Sequence, residues 1–210
     1  MKKWKVRHFI NLHKGLVIPV VLAMMWHYEN WSTTVFVYLA LHGAYSVLWL
    51  TKEVAYPDKR FEQELPFFWV GILFVFLPMA TYWVAPFLLI SRYVTASSIL
   101  IFAAVFINII GVFLHYTSDA QKFYTLKLEK ELIAEGLFSR TRNPNYLGEM
   151  MIYAGFALLS KHWLPWVILL GWWSFFLRNM LKKDASISRH AGFAEYKNQS
   201  WLLIPKPFRS

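Results

Sequence analysis

The chain has 210 residues, room for one compact domain or one helical bundle, and its 57% hydrophobic and 19% aromatic content excludes an ordinary soluble domain. A formal net charge of +10 invites a nucleic-acid reading, but the basic residues alternate with apolar segments instead of forming one patch, so no nucleic-acid partner is required. The absence of cysteine excludes disulfides, thiolate metal sites and cysteine nucleophiles.

In chain order, the stretch MKKWKVRHFINLHKG is basic and aromatic and no small-residue cleavage site follows the first apolar run, so that run is expected to remain as helix one. The nearly uncharged segments are Gly15–Trp26, Thr34–Leu50, Phe67–Ile90, Ala96–Tyr116, Tyr146–Ser160 and Trp163–Leu177. Several approach the roughly 20 residues that a helix needs to cross a bilayer core, while the first and fifth are short. The expectation is an all-α polytopic membrane helix bundle of about six transmembrane helices.

Residues 1–14 carry five Lys/Arg, 52–66 three, 117–145 five and 178–210 seven, so 20 of the 22 fall on one side, leaving Arg92 and Lys161 opposite. That imbalance predicts both termini in the cytoplasm and a basic face that attracts anionic membrane lipids. One integral membrane domain is expected over 1–210, with 1–116 shaping a pocket and 117–210 supplying polar loops around a helical hairpin.

Three connections carry their own signals. TKEVAYPDKRFEQELP, with Pro57 and Pro66, reads as an irregular loop. Between Asp119 and Ala134, apolar Phe123, Leu126, Leu128, Leu132 and Ile133 interleave with charged residues, which predicts a helix on the membrane surface, stopped by Gly136. The tail retains Phe193, Tyr196, Trp201 and Leu202, so a short helix around Gly192–Gln199 is expected to fold back.

The stretch RNPNYLGE, residues 142–149, places hydrogen-bonding groups where a membrane helix should begin. Asn143 before Pro144 suits an N-cap and first helical position. The free N–H groups there, with Arg140 and Arg142 just before, would favour a phosphate or carboxylate. Asn145, Glu149 and Tyr153 follow at four-residue spacing on one face; the alternative for Glu149 is an ion pair with a basic tail residue. His42 and Tyr45, three apart, are candidates to orient and protonate a substrate, or simply to bond between packed helices. Asn108 reads as helix glue, and His115 with Asp119 repeats the four-residue spacing. No Walker loop, nucleophile elbow, H-E-x-x-H pair or dinucleotide fingerprint occurs, and the histidines form no metal set.

The ordered set TSDAQKFYTLK, GLFSRTRNPNYLGEMMIYAGFALLS and a tail with RN, EY and LLIP resembles the C-terminal region of membrane steroid 5-alpha-reductases and related sterol reductases, over about residues 115–205. HGAYSVLWLTKEVAYPDKRF more weakly resembles bacterial members of that group. The resemblance implies helices surrounding a nicotinamide cofactor and an apolar enone, a lipophilic substrate drawn from the bilayer, and a bacterial inner-membrane enzyme whose cofactor site faces the cytoplasm. Asp119, Asn145, Tyr146, Glu149, Arg178 and Tyr196 would then contact NADPH, with Lys122, Arg189, Arg140 and Arg142 as cationic partners for its phosphates. The family's glutamate in an early membrane helix has no match, which leaves Tyr45 as the acid proposed from chemistry. Isoprenylcysteine carboxyl methyltransferases, which use S-adenosylmethionine, share part of the pattern. Their paired glutamates after the last helix are replaced here by KKDAS, so reduction is favoured over methyl transfer. A non-catalytic lipid-binding bundle is the third reading.

Overall fold

The structure, a computed structural model, describes residues 3–128 and 132–207. Among them are seven helices: α1 Val6–His27, α2 Thr33–Ala55, α3 Phe68–Ser91, α4 Ser98–Leu128, α5 Pro144–Ser160, α6 Trp163–Ile187 and α7 Phe193–Gln199. Five of these, α1 to α4 and α6, are long and apolar enough to cross a membrane. The chain is therefore an all-α, multi-pass integral membrane protein. Helix α5 has 17 residues. At about 1.5 Å per residue it falls short of a bilayer core roughly 30 Å thick.

The apolar segments locate the helices but misplace some ends. Helix α1 begins at Val6 and reaches 22 residues by taking in Arg7, His8, His13 and Lys14, so the first span is not short. Helix α3 widens into a π turn over Ile72–Phe76 and tightens into a 3-10 turn over Thr81–Trp83. Pro78 has no N–H and its ring would meet the carbonyl one turn back; a widened turn relieves that conflict. Helix α4 runs unbroken to Leu128, which corrects the expected surface helix over Asp119–Ala134. The part of that prediction on residues 129–131 lies outside the described residues. Residues 132–135 are not helical, so Gly136, at φ +55°, opens a 3-10 turn instead of ending a helix.

Helix α4 shows how the bilayer inverts the usual surface pattern. Phe102, Phe106, Ile109 and Phe113 recur at spacings of four, three and four and are exposed, whereas Ala104, Asn108, Gly111, His115 and Ser118 on the opposite face are buried. Apolar side chains meet lipid outside, and small or polar groups meet other helices inside.

By packing, the described chain falls into two units, Met1–Phe106 with Ala154–Ile168, and Ile107–Tyr153 with Leu169–Ser210. In the first, α1 packs along α2, and Trp4–Lys5 pairs antiparallel with Glu64–Leu65. The connection predicted to be irregular is thus tied to the N-terminal segment: Glu62 accepts hydrogen bonds from Lys5, at 2.6 Å, and from Arg7. The Lys5 hydrogen bond and the nearby Arg7 hold the Glu62 carboxyl below its ordinary range. The ring of Phe9 fills the space in which Gly71 has no side chain.

In the second unit, α4 and α5 cross at a pair of glycines. A Cβ built on Gly148 would lie 2.5 Å from the Gly111 carbonyl oxygen and 2.5 Å from the His115 nitrogen. Asn108 ties the same crossing by donating to the Ile152 carbonyl at 3.3 Å, the interhelical role expected of it. Because the obstructing atoms are backbone, no rotamer change can make room. Gly148→Ala is therefore expected to destabilise the protein at or above the upper end of the roughly 1–3 kcal/mol typical of overpacking, seen as a lower melting temperature in detergent. Gly171→Ala, where nothing approaches within 4 Å, is the matched control and should be close to neutral.

Candidate functional site

Every residue expected at the cofactor falls in the second unit, and His42 and Tyr45 fall in the first. In the second unit the segment before α5 is stitched to the C-terminal tail. The Thr141 hydroxyl donates to the Leu203 carbonyl, Asn143 Nδ2 to the Leu202 carbonyl, and the Arg142 and Trp201 amides to the Trp201 and Arg140 carbonyls. Arg142 is 5% exposed. Its Nε lies 2.9 and 3.0 Å from the two Asp184 oxygens, Nη2 is 2.9 Å from the same carboxylate, and Nη1 donates to the Ser200 carbonyl at 2.7 Å. Arg140 donates to the Lys206 and Pro207 carbonyls.

These contacts change the reading of the basic loop. Arg140 and Arg142 were expected to hold a phosphate at the start of α5; in the structure both guanidiniums fasten the tail. The helix does begin at Pro144, with the Asn143 carbonyl accepting its first helical bond from Leu147. The Asn143 side chain, however, bonds to Leu202 and accepts from Lys183 at 3.2 Å. Tyr146 packs into an apolar cluster with Phe176 and Met180, its ring 5.2 Å from Phe176. Tyr196, on the short tail helix that the sequence predicted, donates from its hydroxyl to the Phe138 carbonyl at 2.9 Å.

Asn145 and Glu149 differ from these. Neither side chain has a hydrogen-bond or ion-pair partner among the described residues, although Asn145 is 8% exposed and Glu149 half-buried. The expected alternative, a Glu149 ion pair with a basic tail residue, is not formed among them. Next to Asn145, His115 Nδ1 lies 3.1 Å from the Asn145 carbonyl, which can only accept, so the ring donates from Nδ1. Its Nε2 faces the Asp119 carboxylate at 3.9 Å, and both side chains are buried. Lys122 is half-buried one turn further along α4. Arg178 and Arg189, on α6 and in the turn after it, are exposed and make no ion pair among the described residues. A cleft of about 550 Å³ lies beside α7, lined by His190, Glu195, Tyr196 and Gln199 among others.

In the first unit, the Tyr38 hydroxyl and His42 Nδ1 are 3.0 Å apart and the His42 ring stacks on Phe156 at 4.4 Å. His42 and Tyr45 are fully buried, with ring centroids 6.5 Å apart. Sequence reasoning missed their neighbour Lys14, 2% exposed, whose ammonium sits 4.1 Å from the Tyr45 ring centroid. A charge near the middle of a membrane helix costs about 2.5–3.5 kcal/mol on insertion scales, so its placement requires a reason. The signal was present as a lysine bordering an apolar run, but it was counted with the loop.

The fold is that of a multi-pass membrane protein whose helix α5 carries near its start an amide and a carboxylate with no partner among the described residues. The chain belongs to the DUF1295 family, described as a protein of unknown function, whose model matches residues 15–199. That family is steroid 5-alpha-reductase-like. The chain is also similar to an uncharacterized protein of Schizosaccharomyces pombe, 40% identical over 78 residues, which cover 35% of this chain and 26% of the relative. The chain thus spans about a quarter of the length of that curated relative. A yeast relative points away from the expected bacterial membrane.

Breaking a buried ion pair by removing one partner typically costs about 3–5 kcal/mol, because the other charge is left unpaired. Arg142→Gln or Asp184→Asn is therefore expected to lower the melting temperature and to expose the tail to limited proteolysis after residue 187. The double change Arg142→Met with Asp184→Leu should recover part of the loss. Burial pushes the Tyr196 phenol up to about 12, against an ordinary value of 10.0. The neutral form is held in the folded state, so its contribution is complete below pH 10 and lost as pH rises towards 12. Alkaline unfolding should be less steep over that window in Tyr196→Phe.

Proposed function

We propose that the protein is a membrane reductase that uses NADPH to reduce a conjugated double bond of a lipophilic, steroid-like or isoprenoid substrate. The observation carrying this reading is the pair Asn145 and Glu149, one helical turn apart and without partners among the described residues. An amide beside a half-buried carboxylate suits the carboxamide and hydroxyl groups of a nicotinamide nucleotide. Arg178 and Arg189 are exposed cations available to phosphates, whereas Arg140 and Arg142 support the reading only by fixing the loop that positions Asn145. Family membership adds the steroid-reductase-like character.

NADPH, when bound, supplies the hydride. The protein's part is to hold the acceptor and supply a proton. Tyr45 is assigned as the proton donor to the enolate that forms, with His42 orienting the substrate while Tyr38 fixes its imidazole. The apolar surroundings of these groups exclude water and strengthen their electrostatic contacts. The cofactor is assigned to the cytoplasmic side, which the positive-inside rule favours for the basic loop before α5.

Titration of the purified protein in nanodiscs with NADPH should saturate, with Glu149→Gln and Asn145→Ala each weakening binding about tenfold or more, equivalent to roughly 1.4 kcal/mol. Tyr45→Phe should leave that affinity unchanged and reduce turnover of an apolar enone. Saturable S-adenosylmethionine binding without NADPH binding would instead make the protein a methyltransferase. Indifference to both cofactors would leave a lipid-binding bundle.

A further inference from the structure

Helix α5 is fastened on both sides of Asn145. Before it, the Asn143 side chain donates to the Leu202 carbonyl and accepts from Lys183. About two turns after it, the Ile152 carbonyl accepts from Asn108 of α4 at 3.3 Å. Between these anchors α4 brings up His115. Its backbone nitrogen and Cα lie 2.5 and 3.0 Å from where a Gly148 Cβ would stand, so its main chain runs directly against α5. Its ring reaches the first turn of that helix, with Nδ1 donating to the Asn145 carbonyl at 3.1 Å and Nε2 facing the Asp119 carboxylate at 3.9 Å.

The acceptor matters because it belongs to the residue whose side chain is a candidate cofactor ligand. The Asn145 oxygen is two bonds from the Cα that bears the amide side chain, so a donor fixed against that oxygen restrains the direction in which the side chain leaves the helix. A carbonyl has two lone pairs, and the imidazole can share it with the helical hydrogen bond from four residues on. His115 is 3% exposed and Asn145 8%, and in such a low-dielectric setting a hydrogen bond is stronger than in water. A leucine at 115 would fill a similar volume and bring no donor. The glycine crossing and the Asn108 bond would hold the two helices together without His115, but they act further along α5.

We propose that His115 is a positioning residue: through the Asn145 carbonyl it sets how the Asn145 amide is presented to the cofactor. The imidazole meets backbone, not the group that would touch the ligand, so its effect on binding passes through Asn145. Binding constellations need their groups held to within about 0.5 Å, which gives a rigid first turn its value. The consequence for cofactor affinity rests on the NADPH reading; the hold of His115 on the start of α5 stands without it.

The test makes two measurements on the full chain in nanodiscs: hydrogen exchange of the amides in residues 144–150 without cofactor, and titration with NADPH. His115→Leu removes the donor, whereas His115→Asn keeps one, because the asparagine Nδ2 stands where the imidazole Nδ1 does. His115→Leu should speed exchange about tenfold and weaken NADPH binding about fivefold, and His115→Asn should stay within about twofold of the parent in both. The loss of affinity should persist when His115→Leu is made in Glu149→Gln and shrink to about twofold or less in Asn145→Ala. The faster exchange should remain in both backgrounds, since the backbone carbonyl is still there. If His115→Leu does not fold, His115→Gln, whose longer amide reaches the place of Nε2, carries the same comparison. Unchanged exchange and affinity in His115→Leu, no rescue by asparagine, or an equal loss of affinity in the Asn145→Ala background would overturn the proposal and leave the reductase reading in place. If the parent binds no NADPH, the reductase reading falls and exchange alone decides: faster exchange in the leucine variant, restored by asparagine, keeps His115 as the residue that positions Asn145, and unchanged exchange removes it.

Discussion

The second unit depends on one buried guanidinium. Arg142 meets the Asp184 carboxylate with two nitrogens and the Ser200 carbonyl with a third, and so joins the loop before α5, the end of α6 and the tail. A buried arginine contributes little net stability unless its donors are all met, and here the partners come from segments distant in sequence. Lys183 reinforces the joint by donating to the Arg142 carbonyl and the Asn143 side chain. The consequence for α5 is positional: its first turn is fixed from outside, so Asn145 and Glu149 project from a rigid start.

A second constraint is closeness of approach. Lipid offers α4 and α5 no hydrophobic reason to associate, so contact must come from packing and hydrogen bonds. Gly111 and Gly148 let the backbones meet, and Asn108 adds a bond across the crossing. His115 uses the same proximity to reach the Asn145 carbonyl. The glycine pair thus places a donor against the first turn of α5 beside the candidate ligand groups, which links a packing device to the site.

How much of this was legible in the sequence depended on whether the cause was local. The apolar runs gave the helices because crossing a bilayer is a property of one segment, and Pro144 and Gly192–Gln199 marked a helix start and a tail helix for local reasons. The start of α1 was lost because Arg7, His13 and Lys14 resemble a loop, and only helical packing buries the last two. The surface helix over Asp119–Ala134 was misread because its charges lie on an extension of α4, not on a separate element. Arg140 and Arg142 looked like an anion site by position, and nothing local reveals that Asp184 and the tail carbonyls claim them. Tyr146 sat in a motif of hydrogen-bonding residues, yet its ring is packing.

Within a membrane bundle, the polar residues divide by whether their needs are met. Arg142, Asn143, Thr141 and Asn108 are satisfied by other parts of the chain, and their chemistry is fully accounted for by assembly. The Asn145 and Glu149 side chains have no such partner among the described residues. The amide and the carboxylate near the start of α5 are the polar pair that the proposed cofactor would engage.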